Sequence, residues 1–414
     1  MKRRRRLLVL LALPVAFLLA LPWIVDAIGG AWSRAPQEMP DGLSAETRAV
    51  VDAAYHGIDP ARLFDYHVHL VGLGAGGTGC FVHPGMRSWW HVTRRVQFVV
   101  YKSAAGITDE TTADQQYVNR LVDLLRHKPM PGRSLLLAFD RHYDEDGSVR
   151  LDNTEMHTPN IYAEQIAGEH ADLFAVGCSV HPYRPDALEE LERCAQQGAR
   201  IVKWLPNAMG MNPADPRCDP FYAVMKKHGM ALLTHAGEEK AVDSAEDQKL
   251  GNPLLLRRPL DAGVRVIVAH CASLAENPDL DTKEQTALVP NFDLFLRLMD
   301  DPRYKDLVFG EISATTQRNR MKGPLRTLLT RTDLHDRLVN GSDYPLPAVN
   351  VLIHVGMLVD EGLLQEHQAV ALREIYDVNP IAFDFVLKRS LRGPGGERFP
   401  ASMFHENPLL RAAR

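Results

Sequence analysis

Eight short runs rich in Val, Ile and Leu recur along the chain, and this recurrence constrains the fold more than any other feature. They cover residues 63–70, 134–139, 173–180, 200–205, 230–235, 264–270, 307–312 and 338–342. Short continuous apolar runs are what strands buried on both faces require. Most are followed by an amphipathic stretch. The clearest spans 186–197, where Leu188, Leu191 and Cys194 fall at helical spacing and Gly198 ends the helix. Strand and helix alternating eight times predict a closed parallel (β/α)8 barrel, the TIM barrel of the α/β class. An open doubly wound sheet is the alternative, and it calls for a Gly-rich dinucleotide turn after an early strand. Gly72, Gly74, Gly76, Gly77 and Gly79 follow the first run without a Lys-Ser/Thr or a helix-opening pattern, so they read as a flexible loop.

Four units follow along the chain. Residues 1–32 are a membrane anchor or signal peptide, 33–60 a linker and lead-in helix (44–56), 61–390 the barrel and 391–414 a C-terminal tail. Residues 2–6 are one Lys and four Arg, and residues 7–25 then contain no charged side chain. As a helix that run spans roughly 28 Å, close to the bilayer core. It is longer than the usual signal core, which favours an uncleaved anchor over a peptide cut near residue 31. Either way the basic cluster stays in the cytoplasm and the rest is exported, to the periplasm or outer face in a bacterium.

The formal net charge is −5, although five positive charges sit in residues 2–6, so the body is more acidic still. With no basic stripe elsewhere, nucleic acid is an unsuitable partner. A small-molecule substrate is expected, and the oligomeric state is open. Five cysteines do not make a disulfide framework. Cys178 and Cys271 sit in apolar runs as small buried thiols, whereas Cys80 and Cys218 lie in loops where a bridge is conceivable in an oxidising compartment.

The chemistry is at the ends of the strands. The first run closes Asp65-Tyr66-His67-Val68-His69, and residues two apart on a strand share a side, so His67 and His69 present two imidazoles together. The fourth run carries Lys203, the fifth ends at His235, the sixth at His270, and the eighth leads to Asp343. Lys203 to His235 is 32 residues and His235 to His270 is 35, one strand–helix unit each; His270 to Asp343 is 73, two units. Ionisable residues therefore gather at the C-terminal strand ends, where barrel enzymes build their sites. Nitrogen and oxygen donors of this kind suit Zn²⁺ or a similar divalent ion. Each residue alone has a plainer reading, such as a hydrogen-bonded structural histidine, a helix-capping Asp343 or a solvent-reaching Lys203. The conjunction favours metal.

This set resembles the amidohydrolase superfamily over about residues 61–390. That family carries His-x-His on its first strand, His on the fifth and sixth, and Asp on the eighth. Gly341-Ser342-Asp343-Tyr344-Pro345 is similar to the eighth-strand motif of the branch that holds decarboxylases and lactone hydrolases. Leu205-Pro206-Asn207-Ala208-Met209-Gly210, running into Asp219-Pro220-Phe221-Tyr222, resembles that branch's fourth-strand loop, and Asn379-Pro380-Ile381-Ala382-Phe383 its closing helix.

The resemblance implies a metal-dependent hydrolase that attacks an amide, ester or lactone bond with a metal-activated hydroxide. The ligand set would be His67, His69, Lys203, His235, His270 and Asp343, with Asp343 and His270 catalytic. In the two-metal form a carboxylated Lys203 bridges the ions. In the one-metal form His67, His69, His235 and Asp343 hold the ion, Lys203 ion-pairs or binds substrate, and His270 acts on substrate. The alternative is a mononuclear decarboxylase of unsaturated or aromatic acids. A metal or ligand binder without turnover is disfavoured by the intact Asp343.

Arg141, His142, His181 and Tyr183 are candidate substrate-binding residues at the barrel mouth, and Tyr143, Arg184, Glu238 and Glu311 could join them. His83 and His157 read as surface loop residues. Trp89 and Trp90 are expected to pack a lid or anchor loop onto the barrel.

Overall fold

The structure is a computed structural model that describes residues 34–411 except 243, 245, 246 and 285, together with residues 20, 23–25 and 27–30. Eight parallel strands form one sheet in sequence order. They are β1 (Phe64–His69), β2 (Arg133–Leu137), β3 (Phe174–Cys178), β4 (Ile201–Trp204), β5 (Ala231–His235), β6 (Arg265–Ala269), β7 (Val308–Glu311) and β8 (Leu338–Val339). The chain past β8 closes the ring. Tyr66 donates its amide to Asn340 O at 2.9 Å, Asp343 donates to His67 O at 2.7 Å, and Val68 bridges Tyr344 in parallel.

Outside the sheet lie α1 (Ala45–Tyr55), α2 (Val92–Ala104), α3 (Ala113–Arg126), α4 (Asn160–Glu169), α5 (Ala187–Gln196), α6 (Asp219–Lys227), α7 (Asn291–Asp300), α8 (Glu366–Val378) and α9 (Pro380–Ser390), with shorter turns between. Their apolar faces and the outward strand residues make the main core. A second core fills the ring itself: Phe64, Tyr66, Leu135, Leu137, Ile201 and Leu233 meet Ile267, Phe309 and Val339. The barrel interior is thus packed and not a pore.

Several expectations need correction. The five cysteines are all free and buried, so Cys80 and Cys218 are not bridged; Cys218 Sγ instead points at Asn212 O, 3.6 Å away. The glycine-rich loop after β1 is ordered by one carboxylate. Asp114 accepts the amides of Leu73, Gly74 and Ala75 and the hydroxyl of Thr78. His157 is buried, its Nδ1 2.7 Å from Phe139 O. Trp89 and Trp90 do not pack down onto the barrel but stand out from it, 67% and 94% exposed.

Residues 391–411 are integral to the domain. His405 bridges Leu63, Asn340 donates to Met403 O, and Leu410 plugs the bottom of the ring core. Among the described residues no helix is long and apolar enough to cross a membrane. The uncharged run at 7–25 lies almost wholly outside them.

Candidate metal centre

Strand parity explains why these side chains meet. Residues two apart share a side, so an interior apolar residue places its i+2 neighbour above it toward the mouth. Ile201 sits in the ring core, and Lys203 follows it on the same side. Leu233 leads to His235 and Phe309 to Glu311 in the same way, and Val339 leads through Gly341 to Asp343.

Two strands need a correction of phase. On β1 the pairing register shifts between Asp65 and Val68. Tyr66 can then fill the ring core while His67 and His69 reach the mouth. After β6 the chain turns through left-handed φ values at His270 (55°), Cys271 (50°) and Ala272 (48°). Non-glycine residues pay conformational energy for that region, and such outliers gather where a side chain must be re-aimed. Here the turn brings His270 Nδ1 to 2.8 Å from Ser313 Oγ.

Three donor atoms converge at the floor of the mouth. His67 Nε2 lies 3.2 Å from His69 Nε2 and 3.4 Å from Asp343 Oδ1, and His69 Nε2 lies 3.1 Å from the same oxygen. Ligand atoms each about 2.1 Å from one ion, at tetrahedral to octahedral angles, stand about 3.0–3.4 Å apart. The residues therefore fit a single divalent cation. The hydrogen-bond network agrees. Glu311 is fully buried, and its carboxylate accepts from His67 Nδ1 at 3.0 Å, Ser313 Oγ at 2.7 Å, Ser313 N at 2.5 Å and, more weakly, His270 N at 3.3 Å. With its proton on Nδ1, His67 keeps a lone pair on Nε2, on the side of the centre and of Lys203 Nζ. The four donors saturate Glu311, so it orients His67 and does not face substrate.

Gly341 lies where β8 passes this pair. A Cβ there would come within 2.3 Å of Glu311 Oε1 and 2.7 Å of His67 Cβ. From behind, the buried Lys388 ammonium donates to Gly341 O and Asp384 Oδ2, both at 2.6 Å.

Burial and neighbouring charge set the protonation states. His67 and His270 are held well below the ordinary imidazole value, first by burial and then by nearby cations, Lys203 for His67 and Arg320 for His270. Burial brings His235 down to about 4. All three are neutral donors at neutral pH, as metal ligands or proton acceptors must be. Burial works to raise the Asp343 carboxyl, but His67, His69 and Lys203 outweigh it and hold the group below the usual carboxylate value. Lys203 is buried, its Nζ 2.9 Å from His67 Nε2, and desolvation lowers its amine to about 8.

His235 and His270 line the same cavity with ring centroids 5.3 Å apart. His235 Nδ1 faces Glu239 Oε2 at 3.3 Å, whereas Glu238 pairs with Lys240 at 2.9 Å. Neither His235 nor His270 joins the His67, His69 and Asp343 group; His270 falls instead in a second close grouping with His67 and Glu311.

Above the floor is a cavity of about 310 Å³. Its walls are mainly apolar, among them Phe98 and Tyr101 of α2, Met86, Met156, Leu274 and Leu352. Arg320 reaches it from the loop after β7. Arg320 is 7% exposed; one terminal nitrogen donates to Ser273 Oγ at 3.3 Å, and its buried Nε has no hydrogen-bond partner among the described residues.

Arg141, His142, His181 and Tyr183 do not line this cavity. Both ring nitrogens of His181 are spent, one on Met209 O at 2.8 Å and one on Tyr183 N at 3.0 Å. Tyr183 OH donates to Asp215 at 3.1 Å. His142 lines a neighbouring polar pocket of about 280 Å³ with His83, Asn207 and Asp247; Glu155 borders both spaces. Arg320, Glu239 and the α2 wall were missed because they lie in loops and in a helix without strand-end register. The only signal in the sequence was the charge of Arg320 and Glu239 near strand ends.

A family model described as "Amidohydrolase" matches residues 64–382. No curated protein matches the chain. Among solved structures, the chain is similar to an uncharacterised TIM-barrel protein from Bordetella bronchiseptica (14% identity, covering 78% of this chain and 95% of that one, TM-score 0.46). It is also similar to a probable 2-pyrone-4,6-dicarboxylic acid hydrolase from Acinetobacter baumannii (13%, 77% and 96%, TM-score 0.44). A third is the 5-carboxyvanillate decarboxylase from Sphingomonas paucimobilis (13%, 77% and 99%, TM-score 0.41).

Proposed function

The chain belongs to the amidohydrolase family, and from that premise we propose that it is a metal-dependent hydrolase cleaving an amide, ester or lactone bond in a largely apolar small molecule. The observation that carries this reading is the triangle of His67 Nε2, His69 Nε2 and Asp343 Oδ1, with sides of 3.1–3.4 Å, at the floor of an apolar cavity. His67, His69 and Asp343 would hold a divalent ion there, Zn²⁺ being the natural candidate for imidazole and carboxylate donors, and the ion would supply an acidified water and a polarised carbonyl.

The chain's own residues supply the rest. Asp343 is ionised and within reach of the centre, so it can accept a proton from the attacking water and return it to the leaving group. His270, neutral and fixed through Ser313, stands beside it with Nε2 4.0 Å from Asp343 Oδ2 and can share that transfer. Arg320 lines the cavity, and its guanidinium can meet a carbonyl oxygen or a carboxylate of the substrate. The apolar walls exclude bulk water and hold the substrate's hydrocarbon part.

One ion per chain is the reading supported, because His67, His69 and Asp343 form one tight donor group and, among the described residues, His235 joins no group of three such donors that could hold a second ion. Lys203 then serves as a buried amine beside the centre, without bridging two ions. The basic N-terminus and the uncharged run at 7–25 support export, with the barrel tethered outside the cytoplasmic membrane.

The test is turnover of esters, lactones and amides graded by acyl length, with metal content measured on the same sample. Hydrolysis that rises with acyl length and vanishes in His69→Ala and Asp343→Asn is expected. A metal-loaded chain inert toward the whole panel, yet releasing CO₂ from unsaturated or aromatic acids, would overturn the assignment.

A further inference from the structure

Four of the exposed large apolar side chains fall within eight residues. Trp89, Trp90, Val92 and Val96 are 67%, 94%, 64% and 51% exposed. Burying such groups is favourable by about 25 cal/mol per Å², so a contiguous set left in water marks a contact surface. In sequence the charge around them is of one sign. From residue 66 to residue 108 the sequence contains no Asp or Glu, in a chain whose net charge is −5. The same stretch supplies Arg87, Arg94 and Arg95. Arg95 lies over the Trp89 ring at 5.1 Å. Glu110, just beyond the stretch, pairs with Lys102 at 2.8 Å and with Arg87 at 3.7 Å.

We propose that this face, the approach to α2 and its first turns, docks onto an anionic lipid surface. Tryptophan beside arginine at the start of an amphipathic helix is the composition that settles at the headgroup level, the rings among the upper acyl carbons and the cations at the phosphates. A second copy of the chain is a poor occupant, because a two-fold contact would set Arg94 and Arg95 against their own like charges.

The N-terminal segment meets the same rim. Ser103 Oγ donates to Gly30 O at 3.2 Å, and Asn350 Nδ2 donates to Ala27 O at 3.1 Å. Residues 27–30 thus lie along α2 and the loop at 350, where Val351 is 50% exposed. In sequence the uncharged run at 7–25 comes just ahead of this segment. The other side of α2 presents Phe98, Tyr101 and Lys102 to the cavity. A docked chain therefore has α2 standing between the lipid and that cavity.

Peptide-resolved hydrogen exchange on the full chain tests this, with the protein reconstituted in vesicles of phosphatidylcholine alone or mixed with phosphatidylglycerol. Exchange over residues 86–99 should slow on the mixed vesicles and recover in high salt. The slowing should be lost in Trp89→Ser/Trp90→Ser while the barrel strands exchange as before. Equal exchange of 86–99 in both lipids, with the chain vesicle-bound in each, overturns the proposal and leaves contact only through residues ahead of 27. Protection that grows with protein concentration and ignores lipid charge also overturns it, in favour of self-association.

Discussion

Replacing Glu311 by Gln tests whether His67 is held as a metal ligand by the carboxylate behind it. Oε2 of Glu311 accepts from His67 Nδ1, Ser313 Oγ and, more weakly, His270 N, and Oε1 accepts from Ser313 N. An amide retains one acceptor. It keeps most bonds with its oxygen at the Oε2 position, which points its NH₂ at the Ser313 amide and orphans that donor. A buried orphan costs about 1–3 kcal/mol. The surviving bond from His67 loses its charge assistance, about half its strength. Burial alone pushes the Glu311 carboxyl upward, so removing its charge returns part of the folding cost. The net stability change should therefore be small and the effect on the ligand large. Losing an outer partner of a metal-bound histidine weakens binding about 10- to 100-fold, or about 1.4–2.7 kcal/mol. Competition with a chromophoric chelator reads the affinity, and thermal unfolding of the metal-free protein separates it from folding. Glu311→Gln binding metal as tightly as the wild type would refute the positioning argument.

Metal analysis should return one ion per chain, and Lys203→Ala should keep it while raising KM; two ions, one of them lost in the variant and regained with bicarbonate and a short-chain acid, would instead establish a carboxylated bridge. Arg320→Met should weaken substrates that carry a carboxylate or an exposed carbonyl by roughly 10- to 150-fold in kcat/KM, the worth of one charge-assisted hydrogen bond, and leave purely hydrocarbon esters less affected. The metal-free protein should lose stability on acidification. Burial lowers His157, His181 and His235 to about 4 each, so the unfolded chain binds more protons than the folded one below the ordinary value near 6.5. The stability these groups contribute is complete above about pH 6.5 and is lost as pH falls toward 4, up to about 3 kcal/mol per group. Denaturant midpoints that stay flat over that window would contradict their burial as neutral rings.

The sequence by itself determined the barrel and its strand order. Each strand is a local apolar run, and the period of two within a run decides which residue faces the ring. Ile201 and Lys203, or Leu233 and His235, could be paired by counting alone. Counting also put His67 and His69 on one side, as they are, but it could not say which way they face where the backbone changes phase. The register shift in β1 and the left-handed turn at His270 decide how His67, His69 and His270 approach one another, and no local pattern encodes either. The orienting role of Glu311 was equally hidden, because its partner His67 lies 244 residues away. The substrate cavity was the least legible part. Its walls come from α2, from the loop that carries Arg320 and from the segment around Leu352, which are distant in sequence and share no periodicity. Tertiary packing alone brings them together, because apolar contact is non-directional: it fixes which surfaces are buried, while closure of the ring decides which of them meet.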